Sequence, residues 1–325
     1  MLRVLIVVTA LGAALWSGWW WVGATGVERA VAAAAMRARA DGWEVEWSDL
    51  AVRGFPSRFD TTVTQPAVAP PDGAWRWTAP FVQVFALSYR PNHLIAVLPP
   101  RQSVATRFGT ATVEDDDLRA SLRIVPGLDA ALAQATATGE GIRVAVDGAP
   151  AASVARGQMA LRRAPEGGAR YDLALSLEDV GIDAALASGL DPEGLLPRTV
   201  RSVTVDASAT LDRVLDRHLE GPAGMETLEV DAARVVWGGL DLTLSGTLAA
   251  DAAGLADGTL TLAVGDVDAL EEMLEPFLPE GQLRLAGAFL RASEGAAVPL
   301  AVSDGVVRFG PLPLGTLPPM RAPGR

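Results

Sequence analysis

The chain has 325 residues, half of them hydrophobic, and a formal net charge of -12 from 27 basic and 39 acidic residues. Lysine and cysteine are absent, and His93 and His218 are the only histidines. This composition argues against nucleic-acid binding, and it excludes disulfides, thiolate metal sites and cysteine nucleophiles. We therefore expect no metal and no cofactor.

The N-terminus carries an apolar segment without a charge from Val4 to Val27. About 20 helical residues, at about 1.5 Å each, cross the roughly 30 Å hydrocarbon layer of a membrane. We predict a transmembrane anchor or uncleaved signal in residues 1–26. Tryptophans at 16, 19, 20 and 21 favour retention, because indole rings gather at membrane interfaces. The alternative is a cleaved signal peptide, for which Ala24-Thr25-Gly26 is a loose cleavage site.

Arg3 favours a cytoplasmic N-terminus, because positive charge is retained on that side of the membrane. The sequence thus predicts a single-pass inner-membrane protein with residues 27–325 in the periplasm as one β-rich domain. We expect an alanine-rich helix over residues 28–39 before that domain. We also expect a flexible, proline-rich tail over residues 316–325.

Beyond the helix, apolar and polar residues alternate with the period of a β-strand. Apolar positions that recur two residues apart fall within 43–47, 142–146, 173–177, 203–211, 240–244, 260–264 and 283–285. Turn pairs favour antiparallel hairpins at Asp147-Gly148, Gly167-Gly168, Asp257-Gly258 and Asp304-Gly305. The predicted fold is mostly β (α+β), a transmembrane helix followed by a long, twisted antiparallel meander.

A few short helices are predicted within the meander, at residues 128–137, 183–188, 211–219 and 266–275. The last has the clearest signals, with an apolar stripe, Asp266 as N-cap and Pro276 beyond its end.

Motifs for enzymatic chemistry are missing from the sequence: there is no nucleophile elbow, phosphate loop, zinc-binding helix or EF-hand loop. We interpret His93 as a hydrogen-bonded turn residue and His218 as part of a charged helix end. The acidic run from Glu114 to Asp117 lacks the spacing of a calcium loop and is interpreted as a solvated bend. We expect ordinary ion pairs for Arg53, Arg58, Arg76 and Arg90. The alternative for these arginines is contact with an anionic headgroup. The chain is therefore not expected to be an enzyme.

The apolar face of the predicted sheet has two interpretations. It is a closed core if another layer covers it, and a binding surface for acyl chains if it stays open, because large exposed apolar patches mark ligand or partner sites.

Three segments resemble the bacterial family called domain of unknown function 2125. They are residues 53–60 (Arg-Gly-Phe-Pro-Ser-Arg-Phe-Asp), residues 77–93, and residues 304–314 near the end of the chain. The combination of an anchor with a strand-rich envelope domain is also similar to the AsmA-like proteins, in which long sheets form hydrophobic grooves for phospholipids. The resemblance gives the open groove the same weight as the closed core, and it supplies no catalytic residue that could be assigned to this chain.

The first hypothesis is therefore a protein that binds lipid acyl chains in a hydrophobic groove, for envelope lipid transport or homeostasis. Its partners would be the inner membrane and a phospholipid. The candidate ligand-facing or membrane-proximal residues are Phe55, Trp75, Trp77, Phe81, Phe85, Leu242 and Leu244. The alternative is a non-catalytic assembly or scaffold protein that contacts an envelope protein partner through a free strand edge. A hydrolase that uses His93 is a third hypothesis.

Overall fold

The structure is a computed structural model that describes residues 1–183, 196–219, 221–275 and 297–321, with single positions at 187, 281, 284, 287, 288, 290 and 291. In these residues the chain forms twenty strands and two helices with described bounds. The strand pairs are antiparallel. The predicted fold class, mostly β with an N-terminal apolar helix, is confirmed.

Helix α1 (Leu2–Ala40) joins the predicted anchor and the predicted alanine-rich helix into one element of 39 residues. It is long and apolar enough to span a membrane by length and composition. Arg37 and Arg39 lie in its last turn, where cations interact favourably with the helix dipole. The helix stops at Asp41, and Gly42 follows with a positive φ of 87°.

Two compact units make up the chain: the first contains Met1–Ile124 and Ile142–Pro150, and the second contains the remaining described residues. The strands of the first unit are β1 (Glu44–Glu46), β2 (Asp49–Arg53), β3 (Arg58–Thr64), β4 (Ala67–Ala69), β5 (Trp75–Thr78), β6 (Phe81–Leu87), β7 (Arg90–Val97), β8 (Arg101–Thr106), β9 (Gly109–Glu114) and β10 (Asp117–Ile124). The end of β11 (Leu132–Val146) also pairs there, with β9.

These strands form a meander in which each long strand is broken once. Pairing runs in the order β2-β3-β6-β7-β10 on one side of the breaks. On the other side it runs β1-β4-β5-β8-β9-β11. We call the row of breaks the bend line.

Proline explains much of the bend line, because it has no N–H to donate to a ladder. Pro66, Pro80, Pro99 and Pro100 stand at three of the breaks. Backbone hydrogen bonds still join neighbouring strands at the bend line; for example, the Gln65 N–H donates to the Pro80 carbonyl at 2.8 Å. Neighbouring strands therefore stay hydrogen-bonded to each other at the breaks.

The second unit continues as a meander in chain order. Its strands are β12 (Ala149–Arg163), β13 (Arg170–Ile182), β14 (Thr199–Leu211), β15 (Met225–Trp237), β16 (Leu240–Ala250), β17 (Ala256–Val264), β18 (Ala297–Ser303), β19 (Val306–Phe309) and β20 (Leu312–Thr316). From β12 onward, each strand pairs with the next.

Helix α2 (Val267–Leu274) follows β17 and confirms the predicted helix at 266–275. The Asp266 side chain caps it by accepting a 3.0 Å hydrogen bond from the backbone N–H of Ala269. Leu270 lies buried in the core cluster of this unit, which is formed by Leu240, Leu248, Ala256, Leu260, Val264, Leu270, Leu290, Val298, Leu300 and Val302.

Two predicted helices are wrong. Residues 128–137 form a bend and the start of β11, in which Ala133, Ala135 and Ala137 alternate with polar residues. Residues 212–219 form turns after β14, because their backbone groups bond to distant segments: Leu132 N–H donates to the Leu215 carbonyl at 2.7 Å. His218 is therefore in a turn, not at a helix end. The predicted helix at 183–188 and the predicted strand at 283–285 lie mostly outside the described residues.

Three of the four predicted hairpin turns are confirmed, at 147–148, 167–168 and 304–305. The one at Asp257-Gly258 is wrong, because both residues belong to β17 and the turn falls earlier, at residues 252–254. Gly258 has a φ of 153°, and a Cβ there would lie 2.2 Å from the Thr247 carbonyl oxygen of the neighbouring strand. Glycine is needed at this position because the two backbones approach closely.

Candidate functional site

A continuous apolar face crosses the second unit. Its register places Met159 opposite Leu175, Leu175 opposite Val205, and Val205 opposite Ala233. The row continues into Leu244 of β16 and Leu262 of β17. Directly paired residues of antiparallel strands point to the same side of a sheet, so these apolar side chains share one face.

The opposite face of the same strands is polar. Ser176 is paired with Thr204, and Thr204 with Arg234. Ion pairs join neighbouring strands there, such as Arg156 to Glu178 at 2.7 Å. The Arg234 guanidinium, hydrogen-bonded to Asp241, holds the pKa of that carboxyl below its usual value. The predicted two-sided pattern is confirmed by the register.

One part of the apolar face is closed. Across β16, β17 and β18 it forms the core cluster, to which α2 contributes Leu270. A second closed part surrounds Tyr171, which is only 1% exposed. Its hydroxyl accepts a 2.9 Å hydrogen bond from the backbone N–H of Leu215, which holds the 212–219 turns over this end of the face.

The middle of the apolar face is half-buried. Its side chains belong to β12–β15, and we call them the open strip: Met159, Leu161, Leu173, Leu175, Leu177, Val203, Val205, Ala233 and Val235. Met159 is 47% exposed. In the part of the chain that the structure describes, none of these residues belongs to a buried cluster. The open strip is the surface best suited to an apolar ligand.

Leu242 and Leu244, two of the predicted ligand-facing residues, lie on the same face beside the open strip. They are partly buried and pack against the core cluster. Leu244 is paired with Ala233 of the strip on one side and with Leu262 on the other. These two leucines thus mark the boundary between the closed and the open parts of the face.

The five predicted aromatic residues belong to the first unit and occupy three separate places. Trp75 contacts Trp43 with ring centroids 5.9 Å apart. Trp77 shares a strand face with Trp75, and its Nε1 donates a 3.1 Å hydrogen bond to Oε1 of Gln102. These two indoles lie on β5, next to the bend line.

Phe81 and Phe85 lie on β6 and point to the same side. Phe85 is paired with Asp60 of β3 and with Ile95 of β7. Phe59 points to the other side of the sheet, because it is paired with Ala86. Phe59 contacts α1, so Phe81 and Phe85 lie on the face of the sheet that points away from α1.

Phe55 occupies the third place, on the loop between β2 and β3, which packs against α1. The Trp20 ring meets Phe55 edge-on at 5.5 Å and lies 6.1 Å from the Phe59 ring. The indole nitrogens of Trp16 and Trp20 donate hydrogen bonds of 2.9 and 2.7 Å to the carbonyls of Pro56 and Arg58. The tryptophans that signalled a membrane interface in the sequence thus also hold this loop.

A buried carboxyl lies at the bend line, where the sequence predicted a solvated bend. Asp116 is exposed there and pairs with Arg143 at 3.0 Å. Asp115, however, is only 4% exposed, and its Oδ2 has no hydrogen-bond partner among the described residues. Burial first, and then the carboxylates of Asp117 and Asp116, raise the pKa of Asp115, while the Gln102 side chain acts in the opposite direction. No local pattern in the sequence indicates the burial of Asp115.

The histidines do not form a recognisable catalytic group. The predicted turn position of His93 is wrong, because His93 lies within β7 and the turn falls earlier, at residues 88–89. Its Nε2 lies 2.9 Å from Oγ of Ser121 on β10, as a nucleophile and base would, but no ion pair to an orienting carboxylate occurs in the described ranges. His218 Nε2 lies 3.6 Å from Asp129, and both side chains are exposed. The residues that the structure describes contain no group of three side chains suited to a metal ion.

The predicted arginine ion pairs are found for two of the four residues. Arg76 pairs with Glu44 and Glu46, at 2.6 and 2.7 Å, and Arg58 pairs with Asp60 at 2.8 Å. Arg53 and Arg90 have no ion-pair partner within the described parts of the chain.

Comparison with known families agrees with the resemblance seen in the sequence. The sequence model of a family described as an uncharacterized protein conserved in bacteria (DUF2125) matches residues 20–318. The chain belongs to this family. Comparison with the curated proteins and with the solved structures returned no match. The matched residues extend over both compact units and begin within α1, before the loop that contacts Trp20.

Proposed function

We propose that this chain is a membrane-anchored protein of the bacterial cell envelope that binds lipid acyl chains on the open strip and performs no catalysis. The observation that carries the proposal is the register of β12–β15, which aligns half-buried apolar side chains on one face, with a closed core beside them. An apolar ligand would remove this surface from water.

The size of the open strip favours a lipid over a protein partner. Four strands about 4.8 Å apart and three residue rows about 6.8 Å apart give a patch of about 14 by 14 Å, or about 200 Å². A stable protein interface buries about 800 Å² on each partner. Full coverage of the strip by acyl chains is worth at most about 5 kcal/mol from the protein side, enough to hold a lipid reversibly.

The N-terminal helix supports anchoring at the inner membrane. Arg3 at its start favours a cytoplasmic N-terminus and hence a periplasmic location for both units. Trp16 and Trp20 bind the loop that follows β2, so the apolar segment is part of the folded first unit. This contact supports retention of the segment, because a cleaved signal peptide would leave these hydrogen bonds unmade.

The similarity to AsmA-like proteins supports a role in envelope lipid transport or homeostasis. In that group long sheets form the groove, and the second unit of this chain is an antiparallel meander with one apolar face.

The test is to measure the phospholipid that co-purifies with the full chain after exchange into a detergent that removes loosely bound lipid. Leu175→Asn with Val205→Asn places two amides in the open strip, where each unpaired amide costs about 1–3 kcal/mol on burial. The control, Ser176→Asn with Thr204→Asn, changes the neighbouring pair on the polar face of the same strands.

We expect the strip variant to lose about tenfold or more of its bound lipid, since about 1.4 kcal/mol corresponds to a factor of ten. The control should keep the parental lipid content, and circular dichroism should show both variants folded. Equal lipid content in the two folded variants would refute lipid binding at the strip. Recovery of a stoichiometric protein partner without lipid would favour the scaffold function instead.

A further inference from the structure

The position of the β2–β3 loop along α1 leads to an inference about the membrane surface, which rests on the anchoring in the proposed function. The helix has two parts. Residues 2–15 are exposed along their whole length, whereas side-chain hydrogen bonds between the helix and the first unit begin at Trp16. Further along, Gly23 packs against Phe59, and Arg39 donates a 2.8 Å hydrogen bond to the Val45 carbonyl.

The exposed part is too short to cross a membrane alone. Its fourteen residues reach about 21 Å at about 1.5 Å per residue, and the hydrocarbon layer is about 30 Å thick. The remaining 9 Å or so requires about six more residues, which extends the span to about Trp21. The segment that holds the β2–β3 loop therefore lies within the outer edge of the same membrane.

The chemistry of this end of the first unit fits such a position. Phe55 is 56% exposed although it touches Trp20, and Pro56 beside it is exposed. The β6–β7 turn lies next to the loop, because Ser88 N–H donates a 2.9 Å hydrogen bond to the Ser57 carbonyl. At the tip of that turn Tyr89 is 61% exposed. Aromatic side chains of this kind favour the interfacial layer of a membrane.

Arginines surround this aromatic tip. Arg53 ends β2, Arg58 begins β3 and Arg90 begins β7, so all three lie at the same end of the strands. Asp60 is the single carboxylate that pairs with any of them among the described residues, at 2.8 Å from Arg58. Long arginine side chains extend from an apolar site to the headgroup phosphates, where their charge is favourable.

We infer that Phe55, Pro56 and Tyr89 insert into the outer-leaflet interface of the membrane that α1 spans, with Arg53, Arg58 and Arg90 at the level of the phosphates. The ligand of this tip is the phospholipid bilayer itself. The insertion fixes the depth and orientation of the first unit on the membrane surface.

The absence of cysteine from the chain makes the test direct. Single-cysteine variants of the full chain carry an environment-sensitive fluorophore at Phe55→Cys, Tyr89→Cys, Phe108→Cys or Leu15→Cys. They are reconstituted into vesicles of phosphatidylethanolamine and phosphatidylglycerol that contain nitroxide-labelled lipids. Phe108 is the matched control, because it is an aromatic residue at a turn tip, 79% exposed, between β8 and β9 beyond the bend line. Leu15 reports on the anchor.

For a tip inserted by about 5–10 Å, lipids labelled near the headgroup should quench the Phe55 and Tyr89 probes about threefold more strongly than the Phe108 probe. The Leu15 probe should be quenched by lipids labelled deeper in the chain. Quenching at Leu15 with none at Phe55 and Tyr89 would overturn the inference and leave the anchor intact. No quenching at Leu15 would overturn both the anchor and the inference.

Discussion

Gly23 offers a sharp test of how α1 packs on the first unit. A Cβ at this position would lie 2.4 Å from Cζ of Phe59 and 3.0 Å from Cε1. The Phe59 ring is buried and lies beside Trp20, so it cannot move away freely. Overpacking of this kind costs about 1–3 kcal/mol. Alanine also favours a helix over glycine by about 1 kcal/mol, so Gly23→Ala should lower the unfolding free energy by about 0–2 kcal/mol.

Gly26→Ala is the matched control, because Gly26 lies on the same helix and a Cβ there meets no atom within 4 Å. It should stabilise by up to about 1 kcal/mol, so the two variants should differ by about 1–3 kcal/mol. Urea unfolding of the full chain in mild detergent, followed by the β signal in circular dichroism, should separate their midpoints by about 1 M.

The contact is further isolated by a double-mutant cycle. Phe59→Leu shortens the side chain that Gly23→Ala would hit, so the double variant should be more stable than the sum of the single effects by about 1–2 kcal/mol. If Gly23→Ala stabilises the protein as much as Gly26→Ala does, then α1 does not pack on Phe59. The depth argument for the β2–β3 loop would then lose its basis.

The remaining predictions concern the carboxyls of Asp115 and Asp116 and the hydroxyl of Tyr171. Because burial raises the pKa of Asp115, its contribution to stability is greatest when it is protonated and is lost as the pH rises through the folded-state pKa. Asp115→Asn should therefore raise the urea midpoint at pH 7, with a gain that shrinks toward pH 4. Asp116→Asn should instead lower the urea midpoint at pH 7, with a loss that shrinks in acid. The reason is that Arg143 lowers the pKa of Asp116, so the stability that this carboxylate provides at neutral pH is lost in acid. Identical pH profiles for the two variants would contradict both assignments. Tyr171→Phe should cost about 1–3 kcal/mol in thermal or urea unfolding, because the Leu215 N–H loses its buried partner; an unchanged midpoint would show that water replaces the hydroxyl.

The strands were predictable because alternation is a local signal. Leu173, Leu175 and Leu177 alternate with polar residues, and one face of a strand follows directly from such a period. The register that aligns them with Val203 and Val205 is consistent with the same pattern, since a shift by one residue would bury the polar side chains.

The two wrong helices show where local signals fail. Residues 128–137 contain several alanines, which favour helices in isolation, but pairing in a sheet outweighs this small preference. In residues 211–219 the charged and apolar residues have a spacing that is typical of a helix. Their backbone groups instead bond to Tyr171 and to residues 129–132, which are distant in the chain and therefore invisible to a local pattern.

The candidate site was partly predictable. The apolar face and the approximate position of Leu242 and Leu244 followed from the alternation, but the division into closed and open parts depends on α2 and on the turns over Tyr171. The prolines of the bend line were visible in the sequence. The alignment of these prolines across neighbouring strands depends on strand pairing. The same pairing places Phe55 apart from Trp75 and Phe81, although only about 20 residues of sequence lie between them.

The most direct test of lipid binding is to locate a bound acyl chain on the protein. The full chain would be loaded with a phospholipid that carries a photoreactive group in its acyl chain, irradiated, digested and mapped by mass spectrometry. The proposal predicts adducts on peptides of β12–β15, centred on Met159, Leu175 and Val205, and no adducts on the core strands β17 and β18. Adducts confined to α1, with none on β12–β15, would contradict a lipid site on the open strip.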